Sequence, residues 1–230
     1  MVEGRIERGR AADRAKRCFD VVVAMALALV ALPMIVLAAL GSAVSLRAWP
    51  FFTQERIGRH GERFRFVKIR TLPVTVERYI DKHQLDLTSV PAFCRLLRRL
   101  HLDELPQLFL VVRGQMSLVG PRPEMPHLHE RMPADFGSLR TSIRPGCTGL
   151  WQVSDSCTDL IGISPEYDRF YVTNRSLRLD LWVLFRTVLK MAGVRRRLTL
   201  ATVPAWAAPA QVIDLRTSEP TLVTSSSPTL

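Results

Sequence analysis

The sequence predicts an α/β chain, mostly helical with a small sheet, in which a membrane segment precedes one compact body. Three observations predict it. Residues 21–46 form a run of 26 without a charge, bounded by Asp20 and Arg47. Two short apolar stretches, 51–54 and 64–69, flank a Gly58-Arg59-His60-Gly61 turn and read as strands. Residues 91–102 and 177–197 space their leucines at helical intervals. At 230 residues the chain has room for one ordinary domain plus extra segments, and its 47% hydrophobic content suffices for a packed core.

Lys and Arg number 32 against 21 Asp and Glu, a formal +11 that calls for an anionic partner. Residues 1–20 hold six basic and four acidic side chains, and residues 201–230 one and two, so the excess belongs to the body. A nucleic-acid partner is excluded: aromatics are only 7%, and a membrane segment would hold the basic face against lipid. Cys18, Cys94, Cys147 and Cys157 show no C-x-x-C and no zinc spacing, which points to inert thiols in a reduced compartment.

In chain order, residues 1–17 form a basic N-terminal segment and residues 18–47 the membrane segment. An ideal helix over residues 21–46 would extend roughly 39 Å, more than a bilayer core of ~30 Å needs. The apolar region of a cleaved signal peptide would be about 7–15 residues, so this one is too long. Pro33 removes a backbone hydrogen bond and clashes with the preceding turn, so a kink is expected near residues 29–32. Basic residues lie on both flanks (Arg5, Arg8, Arg10, Arg14, Lys16 and Arg17 before, Arg47, Arg56, Arg59 and Arg63 after), so charge does not choose a side. Composition leaves a spanning helix and a re-entrant hairpin both open.

Residues 48–200 form the body. Its first strands precede a helix at 91–102 with Leu96, Leu97 and Leu100 on one side and Arg95, Arg98 and Arg99 toward the other. In Asp103-Glu104-Leu105-Pro106, Asp is a favoured N-cap and Pro is tolerated in a first turn, so a second helix follows and stops at Gly114. The last helix places Leu181, Leu184, Phe185, Val188 and Ala192 on one face with Arg186 and Lys190 opposite. It reads either as an interfacial helix on anionic lipid or as a surface helix packed on the core. Residues 201–230, rich in Pro, Ala, Ser and Thr, read as a flexible tail.

Gly-x-Gly-x-x-Gly, Walker, His-Glu-x-x-His and Gly-x-Ser-x-Gly signatures are all absent, so chemistry must rest on carboxylates, cations and Gly-Pro turns. An isolated Asp103-Glu104 pair is usually a helix cap with a solvated neighbour, but arginines at 95, 98, 99, 113 and 122 crowd this one. Arg122 stands between Pro121 and Pro123, which fix φ and aim the guanidinium, as bidentate phosphate binding needs. Arg144-Pro145-Gly146-Cys147-Thr148-Gly149-Leu150-Trp151-Gln152 is a second rigid basic turn.

In order, Lys16-Arg17-Cys18-Phe19-Asp20, Phe52-Thr53-Gln54-Glu55-Arg56-Ile57-Gly58, Lys68-Ile69-Arg70-Thr71-Leu72, Leu102-Asp103-Glu104-Leu105-Pro106-Gln107-Leu108, the run 114–123, Pro145 to Gln152 and Tyr167-Asp168-Arg169-Phe170-Tyr171 resemble the bacterial sugar transferases, the monotopic phosphoglycosyl transferases. The resemblance covers about residues 16–190. It implies a re-entrant helix-break-helix at Pro33, a catalytic domain on the cytoplasmic face of the bacterial inner membrane, and interfacial amphipathic helices. The implied reaction moves a phosphosugar from a nucleotide diphosphate sugar to polyprenyl phosphate and releases nucleoside monophosphate through an aspartyl phosphosugar. It also implies Asp103 as nucleophile, Glu104 as holder of a Mg²⁺ cofactor, and Arg98, Arg122, Lys68 and Arg70 as phosphate contacts; the rigid turn itself offers Arg144 and Gln152 as contacts to nucleotide or sugar. Partners would be the two substrates and the lipid bilayer, and a homodimer is left open. Three departures from the family pattern occur, at Asp86-Leu87-Thr88, at Leu100-His101 and at Trp49-Pro50. The alternative function is a membrane-anchored basic module that binds anionic lipid or a partner protein without catalysis.

Overall fold

The computed structural model describes residues 2–76, 90–158, 162–194 and 197–208, with side chains from residue 11 onward. The departure at 86–88 and the tail beyond 208 lie outside the described residues. Helix α1 (Val2–Leu46) takes in both the basic segment and the apolar run. Every residue in it is helical, Pro33 included, so the expected break is not a break in the helix. A proline inside a helix costs about 3 kcal/mol, and packing on both sides of Pro33 offsets it. Asp20, Ala24, Ala28, Ile35, Ala38, Ala39 and Ser42 are all buried. Their spacing keeps them within about 100° of the helix circumference, with no change of phase at Pro33. Small side chains on that stripe let the helix approach the body closely. Val22, Leu29, Val30, Leu37 and Val44 point away and are exposed.

Strands β1 (Phe51–Ile57) and β2 (Arg63–Ile69) pair antiparallel, with Phe51 opposite Ile69 and Gln54 opposite Phe66. The intervening turn needs left-handed backbone at His60 and Gly61, which is why the glycine stands there. Next come α2 (Ala92–Arg99), a single 3₁₀ turn (Leu102–Glu104) and α3 (Gln107–Arg113), which ends as expected at Gly114 with φ 90°.

A second sheet was not legible in the sequence. Strands β3 (Ser117–Val119) and β4 (Gly146–Thr148) pair parallel, Ser117 with Gly146 and Val119 with Thr148. Their connection carries α4 (Pro126–His129) and α5 (Ala134–Thr141). The crossing is tight: a Cβ on Gly146 would lie 2.1 Å from the Gly120 amide nitrogen, and one on Gly149 2.2 Å from the Gly120 carbonyl oxygen. After α6 (Leu150–Val153) come α7 (Glu166–Asn174) and α8 (Leu177–Met191).

The main core gathers Met116, Leu118, Val119, Phe136, Leu150, Phe170, Tyr171, Leu179 and Val183, and α1 contributes Ala24 and Ala28 to it. Helix α8 faces the core with Leu179, Trp182 and Val183, while Leu181, Phe185 and Val188 of the expected apolar face are exposed. The packed body continues past residue 200. Leu198, Val203, Ala207 and Ala208 are buried, and Asp155 Oδ1 accepts from the Leu198 amide at 3.2 Å.

One polar clasp ties α1 to the rest. Lys16 Nζ lies 2.7 Å from Asp180 Oδ2 on α8, and the Tyr171 hydroxyl lies 2.6 Å from Asp180 Oδ1. Ser117 Oγ donates to Asp20 Oδ2 at 2.6 Å. Arg17 donates to the Val111 and Val112 carbonyls at 2.7 and 3.1 Å, so it binds the C-terminus of α3, where Val111 also accepts from the Gly114 amide. At the far end of α1, Ser42 Oγ donates to the Arg70 carbonyl, and Ala38 packs with Ile69 and Leu97.

Candidate active site

Asp103 sits in the 3₁₀ turn between α2 and α3, entered through His101 in left-handed conformation with φ 55°. It does not cap α3 as expected; Pro106 holds that position without a side-chain cap bond. The turn places Asp103 three residues before the N-cap position, so its carboxylate is available to the cluster around it. The residue is 5% exposed. Burial, followed by the field of Glu104, pushes its carboxyl up from the ordinary 3.8 to about 6, against the pull of Lys68 and Arg98.

Lys68 reaches this centre from β2. Burial pushes its ammonium below the usual value, the two carboxylates act to raise it, and Arg98 and Arg122 act to lower it. Five sequence-expected residues, Lys68, Arg98, Asp103, Glu104 and Arg122, therefore share one electrostatic centre. They come from β2, the end of α2, the 3₁₀ turn and the loop after β3.

Each cation is aimed by a neighbour. Arg98 Nη1 donates to Thr71 Oγ1 at 3.3 Å, and Lys68 Nζ lies 5.4 Å from the Phe52 ring centroid. The Arg122 carbonyl accepts from Arg140 Nη2 at 2.8 Å, and Arg140 Nε lies 2.7 Å from Asp168 in a fully buried ion pair. The Pro123 carbonyl accepts from Arg56 at 3.2 Å. Sequence reasoning missed Arg140 and assigned no role to Asp168. No charge pattern singled the pair out, since α5 also carries Asp135 and α7 also carries Glu166 and Arg169.

The other expected contacts are placed differently. Arg70 Nε donates to the Trp49 carbonyl at 2.9 Å, which ties it to the entry of β1. Gln152 Nε2 donates to the Cys147 carbonyl at 3.0 Å, and its buried Oε1 has no hydrogen-bond partner among the described residues. Burial raises the Cys147 thiol pKa, with Glu104 as the next cause, so Gln152 stands one residue behind the centre. Arg144 belongs to a separate cavity with Arg17 and Arg59.

No group of three or more His, Cys, Asp or Glu residues suited to a metal occurs among the described residues. That excludes an all-protein cage there, but it suits Mg²⁺, which is commonly held by one or two carboxylates and completed by substrate phosphates and water. Asp103 and Glu104 are hard oxygen donors whose mutual repulsion a divalent cation would relieve. The donor set fits the ion.

Comparison with known proteins identifies the family. The family profile for bacterial sugar transferases matches residues 11–193. An exopolysaccharide production protein ExoY of Sinorhizobium fredii is 37% identical over 193 residues, covering 75% of this chain and 83% of that protein. The undecaprenyl-phosphate galactose phosphotransferase of Salmonella typhimurium is 33% identical over 189 residues, covering 75% of this chain and 39% of that protein. The undecaprenyl-phosphate glucose phosphotransferase of Komagataeibacter xylinus is 34% identical over 187 residues, 75% of this chain and 35% of that one. The chain thus spans well under half the length of several relatives and most of the length of another. With the match running from the start of the apolar helix to the end of α8, this chain belongs to the bacterial sugar transferase family.

Proposed function

We propose that this protein transfers a phosphosugar from a nucleotide diphosphate sugar, of the UDP type, to polyprenyl phosphate at the cytoplasmic face of the inner membrane, as the first membrane step in making a surface polysaccharide or glycoconjugate. The observation that carries the reading is the buried Asp103 carboxylate set against Glu104 and faced by Lys68 and Arg98, with Arg122 acting on Lys68 from the loop after β3. A nucleophilic carboxylate needs shielding from water and an electrophile held in line, and three cations suit two phosphates.

In the first step an Asp103 oxygen attacks the sugar-bearing phosphorus, and the bond from that phosphorus to the bridging oxygen breaks. The electron pair leaves with the nucleoside monophosphate, and an aspartyl phosphosugar remains. In the second step a phosphate oxygen of polyprenyl phosphate attacks the same phosphorus, which frees the Asp103 carboxylate and yields the polyprenyl diphosphosugar. Lys68, Arg98 and Arg122 bind and orient the diphosphate, and Arg140 with Asp168 keeps Arg122 in place. Glu104, with Asp103, would hold Mg²⁺, which when bound offsets the charge of the diphosphate oxygens.

The membrane arrangement is proposed as re-entrant. Segment Ala11–Leu46 is long and apolar enough to cross a membrane. Both of its ends touch the same body, through Lys16, Arg17 and Asp20 at one end and Ala38 and Ser42 at the other. A spanning helix would carry one end to the opposite side of the bilayer. Pro33 is exposed on the side of α1 opposite the buried stripe. A proline ring pushes a helix away from its own side, so the bend it favours turns both ends toward the body. The exposed Leu181, Phe185 and Val188 of α8 suit an interfacial helix on the same membrane face.

The test is to incubate membranes containing the wild-type chain or Asp103→Asn with a panel of UDP-sugars and polyprenyl phosphate. Nucleoside monophosphate should appear with the wild type only, while both proteins stay membrane-bound. Normal turnover by the variant would sink the mechanism.

A further inference from the structure

The cavity that holds Arg144 lies outside the Asp103 centre and has its own logic. It encloses about 50 Å³ between the start of α1, β3 and the turn before β4. Lys16, Arg17, Arg59, Arg144 and Arg175 line it with only Asp13 and Asp20 in opposition. Both carboxylates are already engaged. Asp13 pairs with Arg175, and Asp20 accepts from Ser117 and lies 3.5 Å from Lys16. Arg17, Arg59 and Arg144 make no ion pair among the described residues. Each is instead fixed by backbone carbonyls. Arg17 holds those of Val111 and Val112, Arg59 Nε that of Ser142 at 3.3 Å, and Arg144 Nε that of Gly114 at 2.7 Å. These bonds leave guanidinium N–H groups of all three for a further acceptor.

The other two cations act on Arg144. Burial, then Arg17, then Arg59 lower the basicity of Arg144, opposed by Asp20 and Asp13. Like charges held together by the fold are relieved by an anion. The depth of the cavity identifies its surroundings. Asp20 is the last charge before the apolar run of residues 21–46, so on the membrane arrangement proposed above the cavity sits where α1 passes from water into the membrane, at the level of lipid headgroups.

We infer that Arg17, Arg59 and Arg144 form a second phosphate site, separate from the transferase centre, which takes a phosphate group at headgroup depth. Three preset guanidiniums suit the oxygens of a phosphodiester in an anionic phospholipid or of a free phosphate monoester. Occupation of this site would tie the first part of α1 to the turn between β1 and β2 and to the turn before β4, and set the height at which the body rests on the bilayer.

The test uses the full chain in nanodiscs and reads binding without catalysis. In one arm, discs of phosphatidylcholine alone receive inorganic phosphate, and thermal stability is followed. In the other, discs with added phosphatidylglycerol are dissociated for native mass spectrometry, and retained lipid is counted. The wild type should gain stability with phosphate, retain phosphatidylglycerol over phosphatidylcholine, or do both, and the positive arm identifies the source of the phosphate. Arg59→Gln, whose single backbone bond is exposed, should weaken the response at least tenfold. Arg144→Gln should do the same, and if that variant fails to fold, Arg59→Gln still decides. The response should persist in Arg98→Gln, which damages only the transferase centre. An unresponsive wild type, variants indistinguishable from it, or loss of the response in Arg98→Gln would each overturn the inference.

Discussion

The Arg122 carbonyl accepts a hydrogen bond from Arg140 Nη2 at 2.8 Å, so the loop that carries a proposed phosphate contact is anchored by a buried side chain. Arg140 is held in turn by Asp168 at 2.7 Å, and burial raises the Asp168 carboxyl pKa while Arg140 opposes that rise. Arg140→Met would leave a buried carboxylate unpaired, a loss of roughly 3–5 kcal/mol. The expected outcome is a lowered melting temperature. Asp168→Asn keeps an acceptor for Arg140 and should be milder in stability but should raise KM for the sugar nucleotide more than it lowers kcat. Unchanged KM and melting temperature in both variants would show that Arg122 is positioned some other way.

Asp103 makes a pH-dependent prediction with a defined sign. Its folded-state pKa of about 6 lies above the ordinary 3.8, so the folded chain binds that proton more tightly than the unfolded chain does. Stability therefore falls as pH rises from about 4 to about 6 and stays at the lower level above that. Asp103→Asn removes this cost. In EDTA at pH 7.5 the variant should be more stable than the wild type, by up to ~3 kcal/mol, and the gap should shrink at pH 4.5. Added Mg²⁺ should then raise the melting temperature of the wild type and not that of Asp103→Asn. A variant less stable at pH 7.5 than at pH 4.5, relative to wild type, would reverse the sign.

Topology is measurable at the two ends of α1. Ala12 and Ser45 are both exposed and lie on either side of the apolar run. In a background lacking the native cysteines, Ala12→Cys and Ser45→Cys should both resist a membrane-impermeant thiol reagent in intact cells, and both should react in inverted vesicles. Reaction of one from outside the cell would make the helix a spanning one.

Much of the centre was legible because its residues lie in short, chemically dense blocks. The Asp103-Glu104 pair, the proline-flanked Arg122 and the Arg98 that closes a helix all announce charge where the chain is stiff. Lys68 and Arg70 have the same strand spacing, and sequence alone could not separate them; the Trp49 carbonyl captures one, and the other turns to the carboxylates. Arg144 sits in a promising motif, yet its neighbours Arg17 and Arg59 come from segments more than 80 residues away. Strands β3 and β4 are three residues each, too short to show alternation, and close glycine packing specifies their pairing instead. Residues 201–208 resemble a tail in composition because alanine and proline bury little surface, but Val203, Ala207 and Ala208 fill the floor of the core. The stripe on α8 was read correctly as apolar, and only the structure shows that it faces outward.

The contact between Lys16 and Asp180 joins residues 164 positions apart. A ribosome delivers the first partner long before the second, so the apolar helix emerges while the surface that will receive Ala24 and Ala28 does not yet exist. Closing so distant a pair carries a loop-entropy cost and comes late. On the membrane arrangement proposed above, insertion of α1 precedes completion of the body, and the nascent chain is tethered to the bilayer when Asp103 meets its cations.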